Sequence, residues 1–198
     1  MTPGLGSRAR AAVARRRLPR GVARFHRSAR RLARDTGHTW GLEAATTPVD
    51  LAHLLRLARG RRAVVELGTG PGWTAISLAL ADPARRVTSF DPVVHEHRDA
   101  YLALVPPATR ERVRFVRAEG AAGAADHPGG VELLFVDSTH ERAATVAELR
   151  AWEPRLASGA TVVLHDYGHP DFPGVAEAAR ELGLAGTVTG GMFSFVRR

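Results

Sequence analysis

Three short stretches carry residues whose types and spacing could do chemistry. Glu66-Leu-Gly68-Thr-Gly70-Pro-Gly72 sets three glycines at alternate positions behind an acid. Glycine lets a backbone turn tightly and approach a ligand, and the N–H groups of a following helix favour negative charge. A dinucleotide loop would need its third glycine at position 73, which is Trp73, so this spacing points away from a pyrophosphate ligand. Asp91 comes 25 residues after Glu66, where a carboxylate at a strand end can accept hydrogen bonds from both hydroxyls of a ribose. Further on, Asp137-Ser-Thr-His140 and His165-Asp166-Tyr167 supply two carboxylates and two imidazoles. Such a set can move a proton near neutral pH or hold a divalent cation.

These residues need elements that bring them to one place. Past residue 46 the pattern alternates short apolar runs with helical stretches, which predicts an α/β fold with a mostly parallel, doubly wound sheet. Strands are expected at Ala63–Leu67, Arg86–Phe90, Val113–Val116, Val131–Val136 and Ala160–Leu164, with one or two closing strands in Thr187–Val196. Helices are expected from Thr47 or Pro48 to about Arg59, and over Trp73–Ala81, Val94–Leu104, Ala143–Trp152 and Gly174–Leu184. The glycine loop falls between a strand and a helix, the context such a loop requires. Asp137 and His165 fall at the ends of the fourth and fifth strands, and in a doubly wound sheet neighbouring strands deliver such residues to one rim.

The chain has 198 residues, 44% hydrophobic and 24% charged, which is one globular domain's worth of core. No apolar run is long enough to span a bilayer, and no apolar stretch follows the charged start as in a signal peptide. Without cysteine, disulfides, thiolate metal sites and Cys nucleophiles are excluded. These features read as a soluble, cytoplasmic protein. Residues 1–34 hold eleven Arg and no acid, while the other 164 residues hold 17 Arg against 20 acids. The net charge of +8 therefore belongs to the N-terminal arm. Every cation is Arg, which reads as GC-rich codon usage and weakens any case for a particular Arg.

The glycine stretch with Asp91 resembles the E/D-x-G-x-G-x-G motif of class I S-adenosylmethionine-dependent methyltransferases. The resemblance implies a Rossmann-like sheet and S-adenosylmethionine as cofactor, held by Glu66, Gly68, Gly70, Gly72, Asp91, Glu119 and Asp137. The second half, with Asp137-x-x-His140, Trp152, Leu156-Ala-Ser-Gly159 and His165-Asp166, resembles the small-molecule O-methyltransferases related to catechol and macrolide-sugar enzymes. In all, the resemblance runs from about Thr46 to Gly174. It implies O-methylation of a small hydroxylated molecule, with His140 as general base and Asp137 beside the reacting methyl. It also implies Mg²⁺ or another divalent cation on Asp137, Asp166 and the neighbouring His165. Here the chain departs from its relatives. Tyr167 stands where catechol-type enzymes carry an Asn ligand, and His165 where some sugar-modifying relatives carry Glu. Imidazole suits transition metals better than Mg²⁺. The alternatives are a capping role for His140 and an Asp137 that faces the sulfonium without a metal.

The chain divides into an Arg-rich arm with an amphipathic helix (1–45) and a cofactor-binding domain (46–198). Residues 1–17 show little periodic pattern and read as mobile. Leu18, Val22, Phe25, Ala29 and Leu32 then form an apolar helical stripe that Gly37 ends, followed by a loop over Gly41–Pro48. The stripe favours a helix that caps the substrate pocket. An RNA backbone, which would make this an RNA-directed methyltransferase, an anionic membrane surface and a transit peptide are the alternatives. Homodimerisation through the arm and a non-catalytic S-adenosylmethionine-binding protein complete the readings.

Overall fold

The computed structural model describes residues 18–198, so the expectation for residues 1–17 lies outside the described residues. Seven strands form one sheet in the order β3-β2-β1-β4-β5-β7-β6. They are β1 (Ala63–Leu67), β2 (Arg86–Phe90), β3 (Val113–Val116), β4 (Val131–Val136), β5 (Leu156–Leu164), β6 (Thr187–Thr189) and β7 (Met192–Val196). The first five are parallel, and β7 runs antiparallel to both β5 and β6. The chain order reverses between β1 and β4, so a crevice opens at their carboxyl ends, the usual ligand position in such sheets.

Alternation along the strands divides the core. Val64, Leu133 and Val163 pack on one face with Leu51, Leu54, Ala75 and Leu78. Val65, Leu134 and Val162 pack on the other with Leu149, Trp152 and Val175. The covering helices are α1 (Arg20–Asp35), α3 (Pro48–Leu57) and α4 (Trp73–Ala81) on the first face, and α7 (Arg142–Trp152) and α8 (Pro173–Glu181) on the second. Between them run the short helices α2 (Thr39–Glu43), α5 (Arg98–Leu102) and α6 (Pro107–Arg110).

Helix α1 is part of this core. Leu18, Val22, Phe25 and Ala29 are buried, as is Ala33, while Leu32 is half-buried. Phe25 meets the Trp73 ring edge-on at 6.4 Å, and His26 shares a 3.0 Å hydrogen bond with the Ser77 hydroxyl. Burying one such aromatic side chain contributes about 1.5–3 kcal/mol. Arg20, Arg24, Arg27, Arg31 and Arg34 stay exposed on the outer side.

Strands β1 to β4 and helix α4 have the bounds expected from sequence. Helices α3 and α7 differ by one or two residues at one end, α6 is not expected from sequence, and other elements differ more. The expected helix over Val94–Leu104 is only Arg98–Leu102, because Asp91 accepts the Val93 N–H and Arg98 donates back to the Val93 carbonyl, holding a turn there. The expected loop after Gly41 overlaps α2, whose Gly41 packs under the His38 ring where no Cβ would fit. Strand β5 begins at Leu156, with a register shift against β4, and α8 stops at Glu181, short of Gly183 in the left-handed region. Among the described residues no helix is long and apolar enough to cross a membrane.

Candidate active site

The strand ladder continues one residue past β1, β4 and β5. Gly68 N–H donates to the Phe90 carbonyl, Asp137 N–H to Leu67 and His165 N–H to Val136. Gly68, Asp137 and His165 therefore stand side by side at the rim of a cleft of about 610 Å³. That size is ordinary for a small-molecule or cofactor site.

One half of the cleft is made of backbone. A Cβ on Gly68, whose φ is +91°, would lie 1.9 Å from the Asp137 carbonyl oxygen. Gly72, at φ +81°, caps α4, and its Cβ would lie 2.8 Å from the Phe115 ring. Both positions therefore require glycine. Asp91 holds the loop by accepting Gly70 N–H at 2.9 Å and Val93 N–H at 2.8 Å, and Arg98 donates to the Gly70 carbonyl. Oδ2 also faces Arg98 Nη2 at 3.5 Å and His95 Nε2 at 3.7 Å, while Oδ1, with Val93 N–H on it, keeps a lone pair for a ligand hydroxyl. Glu66, only 1% exposed, lies beneath the loop and accepts from the Ser89 hydroxyl, which also contacts Thr69 Oγ1 at 2.7 Å. Burial, with Asp137 adding to it, pushes the Glu66 carboxyl up to about 8, so at neutral pH it is chiefly protonated. Glu119 is exposed on the cleft wall.

The other half is made of side chains. Asp137 Oδ1 lies 2.9 Å from His165 Nδ1 and 3.2 Å from His140 Nε2. Asp166 Oδ2 lies 3.4 Å from His165 Nδ1 and 3.3 Å from His140 Nε2. Each of the four residues offers one donor atom within 4.8 Å of the others. Burial alone would raise the Asp137 carboxyl, but the His165 and His140 imidazoles outweigh it and hold the group well below the usual carboxylate range. Burial opposes charge on His165, yet Asp137, Asp166 and Asp50 push it up to about 12. The pair is thus an aspartate against an imidazolium.

Two of these residues sit where side chains rarely go. His140 (φ +61°) and Asp166 (φ +52°) are the two non-glycine residues with positive φ among the described residues. Left-handed backbone at such residues costs of order 1–3 kcal/mol and gathers at functional sites. His140 is not a side-chain cap of α7: the cap position is Glu141, with no side-chain bond. Its ring stacks on Phe172 at 4.5 Å instead. Gly174 permits this packing, since a Cβ there would meet the His140 carbonyl at 2.6 Å.

Several cleft residues escaped the sequence reading. Asp50, in the first turn of α3, is buried with its Oδ2 3.9 Å from His165 Nε2. Thr47-x-x-Asp50 reads as an ordinary helix start, which the Thr47 cap indeed makes, so nothing local announces a second task. Glu148 accepts from Ser138 Oγ at 2.7 Å, and burial raises its carboxyl. Trp40, 43% exposed, stacks on His95 at 4.4 Å above the Gly70 side of the cleft. The cleft wall on this side thus comes from Trp40, Glu43, Ala44, Ala45 and Thr47 rather than from the apolar stripe of α1.

The donor set fits Mg²⁺ poorly. Mg²⁺ demands oxygen ligands, but His165 holds the position beside both aspartates, and Tyr167 turns away to stack on Phe193 at 4.9 Å.

Sheet order and glycine cradle define a class, that of the Rossmann-like S-adenosylmethionine-dependent methyltransferases. The family described as "Methyltransferase domain" matches residues 65–167, slightly more than half of the chain, and the chain belongs to it. A release factor glutamine methyltransferase of Chlorobaculum tepidum is 37% identical over 106 residues, 48% of this chain, which spans only 34% of that enzyme. Among solved structures, a TDP-rhamnose 3'-O-methyltransferase of calicheamicin biosynthesis superposes with a TM-score of 0.61 at 22% identity, covering 74% of this chain and 78% of that one. An O-methyltransferase of tomaymycin synthesis from Streptomyces achromogenes, solved with SAM, gives 0.59 at 21%, covering 78% and 82%. An O-methyltransferase from Bacillus cereus in complex with SAH gives 0.61 at 15%, covering 78% and 83%. At these identities the structural likeness is one of fold.

Proposed function

We propose that the protein transfers a methyl group from S-adenosylmethionine to a hydroxyl of a small molecule. The observation that carries this reading is one cleft lined by Gly68, Gly70 and Asp91 from the glycine half and by Asp137 and His140 from the histidine half. Residues 46–198 serve as the cofactor-binding domain, and residues 1–45 as an Arg-rich arm whose last residues line the cleft.

S-adenosylmethionine, when bound, supplies a sulfonium methyl as the electrophile. The glycine loop offers its bare backbone to the amino-acid end, Asp91 accepts the ribose hydroxyls, and Glu119 stands at the base end. Asp137 lies at the junction of the two halves, its charge fixed by its imidazole neighbours. The partners of His140 set its tautomer: Nε2 faces two carboxylates and carries the hydrogen, leaving Nδ1 to take the proton of the acceptor hydroxyl. The imidazolium so formed rests between Asp137 and Asp166, and Phe172 holds its plane. The freed oxygen would then take the sulfonium methyl as the carbon–sulfur bond breaks and S-adenosylhomocysteine leaves, the cleft holding both reactants close. Base catalysis of this kind contributes about 10²–10⁴-fold. Asp137, Asp166 and His165 form the place for a divalent cation, but no step above depends on one.

Calorimetric titration with S-adenosylhomocysteine tests the cofactor half. Micromolar binding is expected, weakened about 100-fold in Asp91→Ala, since hydrogen bonds to a charged group contribute about 1.5–3 kcal/mol each. Absence of binding to the folded protein would sink the reading.

A second reading, an RNA acceptor anchored by the arm, is favoured by the exposed Arg face of α1. It predicts RNA binding that falls steeply with salt and disappears when the exposed Arg20, Arg24, Arg27, Arg31 and Arg34 are replaced by Gln, which leaves the buried face of α1 intact.

A further inference from the structure

Three donor atoms share one small face of the cleft. His165 Nδ1 is 2.9 Å from Asp137 Oδ1 and 3.4 Å from Asp166 Oδ2. Ligand atoms on one dication with arms of about 2.1 Å stand roughly 3.0–3.4 Å apart. The spacing therefore suits a small dication, and the donors decide which one. Two carboxylates with the His165 imidazole, and with His140 Nε2 at 3.2 Å and 3.3 Å from the same two oxygens, match ions that accept nitrogen. Asp166 presents its carboxylate to this face from left-handed backbone, φ +52°.

The far side of His165 strengthens the case. Its Nε2 faces Asp50, which is itself pinned: Thr47 Oγ1 donates to its Oδ2 at 2.7 Å and Gly191 N–H to its Oδ1 at 3.3 Å. Gly190 makes room for this carboxylate, because a Cβ there would stand 2.6 Å from Asp50 Oδ1. At 3.9 Å this carboxylate is beyond a direct hydrogen bond and acts on the ring by charge, favouring a hydrogen on Nε2 and so a free lone pair on the inner nitrogen, the side a metal would take.

Resting on the methyl-transfer reading of this cleft, we propose that Asp137, Asp166 and His165 bind a first-row transition dication rather than magnesium, with Asp50 as the positioning residue behind His165. Three protein ligands leave positions open for an acceptor with neighbouring oxygens. His140, its Nε2–H bonded to the same carboxylates, stays free to act as base.

The test is calorimetry of the full chain with Co²⁺ and with Mg²⁺, alongside S-adenosylhomocysteine on the same sample. One equivalent of Co²⁺ should bind at least about 100-fold more tightly than Mg²⁺. Because transition ions outbind Mg²⁺ at many sites, the variants decide. His165→Asp, an all-oxygen set, should shrink that selectivity at least about tenfold, and Asp50→Asn should weaken Co²⁺ about 10–100-fold without changing S-adenosylhomocysteine affinity. Asp50→Asn removes no ligand and decides the matter if His165→Asp fails to fold. Equal binding of the two ions, no Co²⁺ binding, or a selectivity indifferent to both changes would overturn the proposal. Failure of Co²⁺ with retained S-adenosylhomocysteine binding overturns this inference alone; failure of S-adenosylhomocysteine overturns the methyl-transfer reading.

Discussion

The two halves of the cleft are built by opposite means. The glycine half is backbone: Gly68 and Gly72 are shaped by what a Cβ would strike, and Asp91 ties the loop down. The histidine half is side chain: four titratable groups from two strand ends, two of them on strained backbone, hold one another by charge. A cradle that must fit one cofactor is best made of fixed backbone. A centre that must move a proton needs groups whose charge states are set by their neighbours.

Gly68 is where the halves meet, so Gly68→Ala should do most damage. The left-handed φ and the clash with the Asp137 carbonyl together cost roughly 2–6 kcal/mol, measurable by urea unfolding, and binding of S-adenosylhomocysteine should be lost with it. If Gly68→Ala binds normally, the close approach of the two strand ends is not what shapes the cradle. Asp137→Asn separates the halves. It leaves the buried His165 charge short of its nearest partner and should cost about 3 kcal/mol of stability, with methyl transfer falling far more than cofactor affinity. An equal loss of both would mean that the two regions are not distinct.

The mildest change reads the floor beneath the loop. The Glu66 carboxyl is raised from 4.5 to about 8 in the folded protein, so the folded state holds the proton more tightly than the unfolded chain. Its stabilising contribution is full below about pH 4.5 and lost as pH rises through about 8. Glu66→Gln, which mimics the protonated form, should therefore melt higher than the wild type above neutral pH and about equally at pH 4.5. A melting difference that does not grow with pH would show that Glu66 is ionised in the fold.

The contrast also explains what could be read from the sequence. Strands β1 and β4 are legible as short, nearly continuous apolar runs, β2 and β3 as shorter segments in which Val and Phe are interspersed with polar residues, and the cradle is legible because its residues are contiguous. Asp137, His140, His165 and Asp166 are legible as strand-end residues once β4 and β5 are placed side by side. Asp50 is not, because its work on His165 depends on α3 lying across the β5 end and on Gly191 being brought back by β7. Nor is the shortening of α5, which follows from a side chain of β2's terminal turn competing for backbone hydrogen bonds. Local pattern reveals elements, but a residue that acts on a distant partner looks like whatever its own segment needs.

The most direct test follows a labelled methyl from S-adenosylmethionine into a panel of sugars and catechols with neighbouring hydroxyls, using wild type and His140→Ala at saturating cofactor. The account predicts label on an acceptor oxygen, a rate about 10²–10⁴-fold lower in His140→Ala, and unchanged S-adenosylhomocysteine affinity in that variant. Equal rates in the two proteins, or label only on nitrogen, would contradict it.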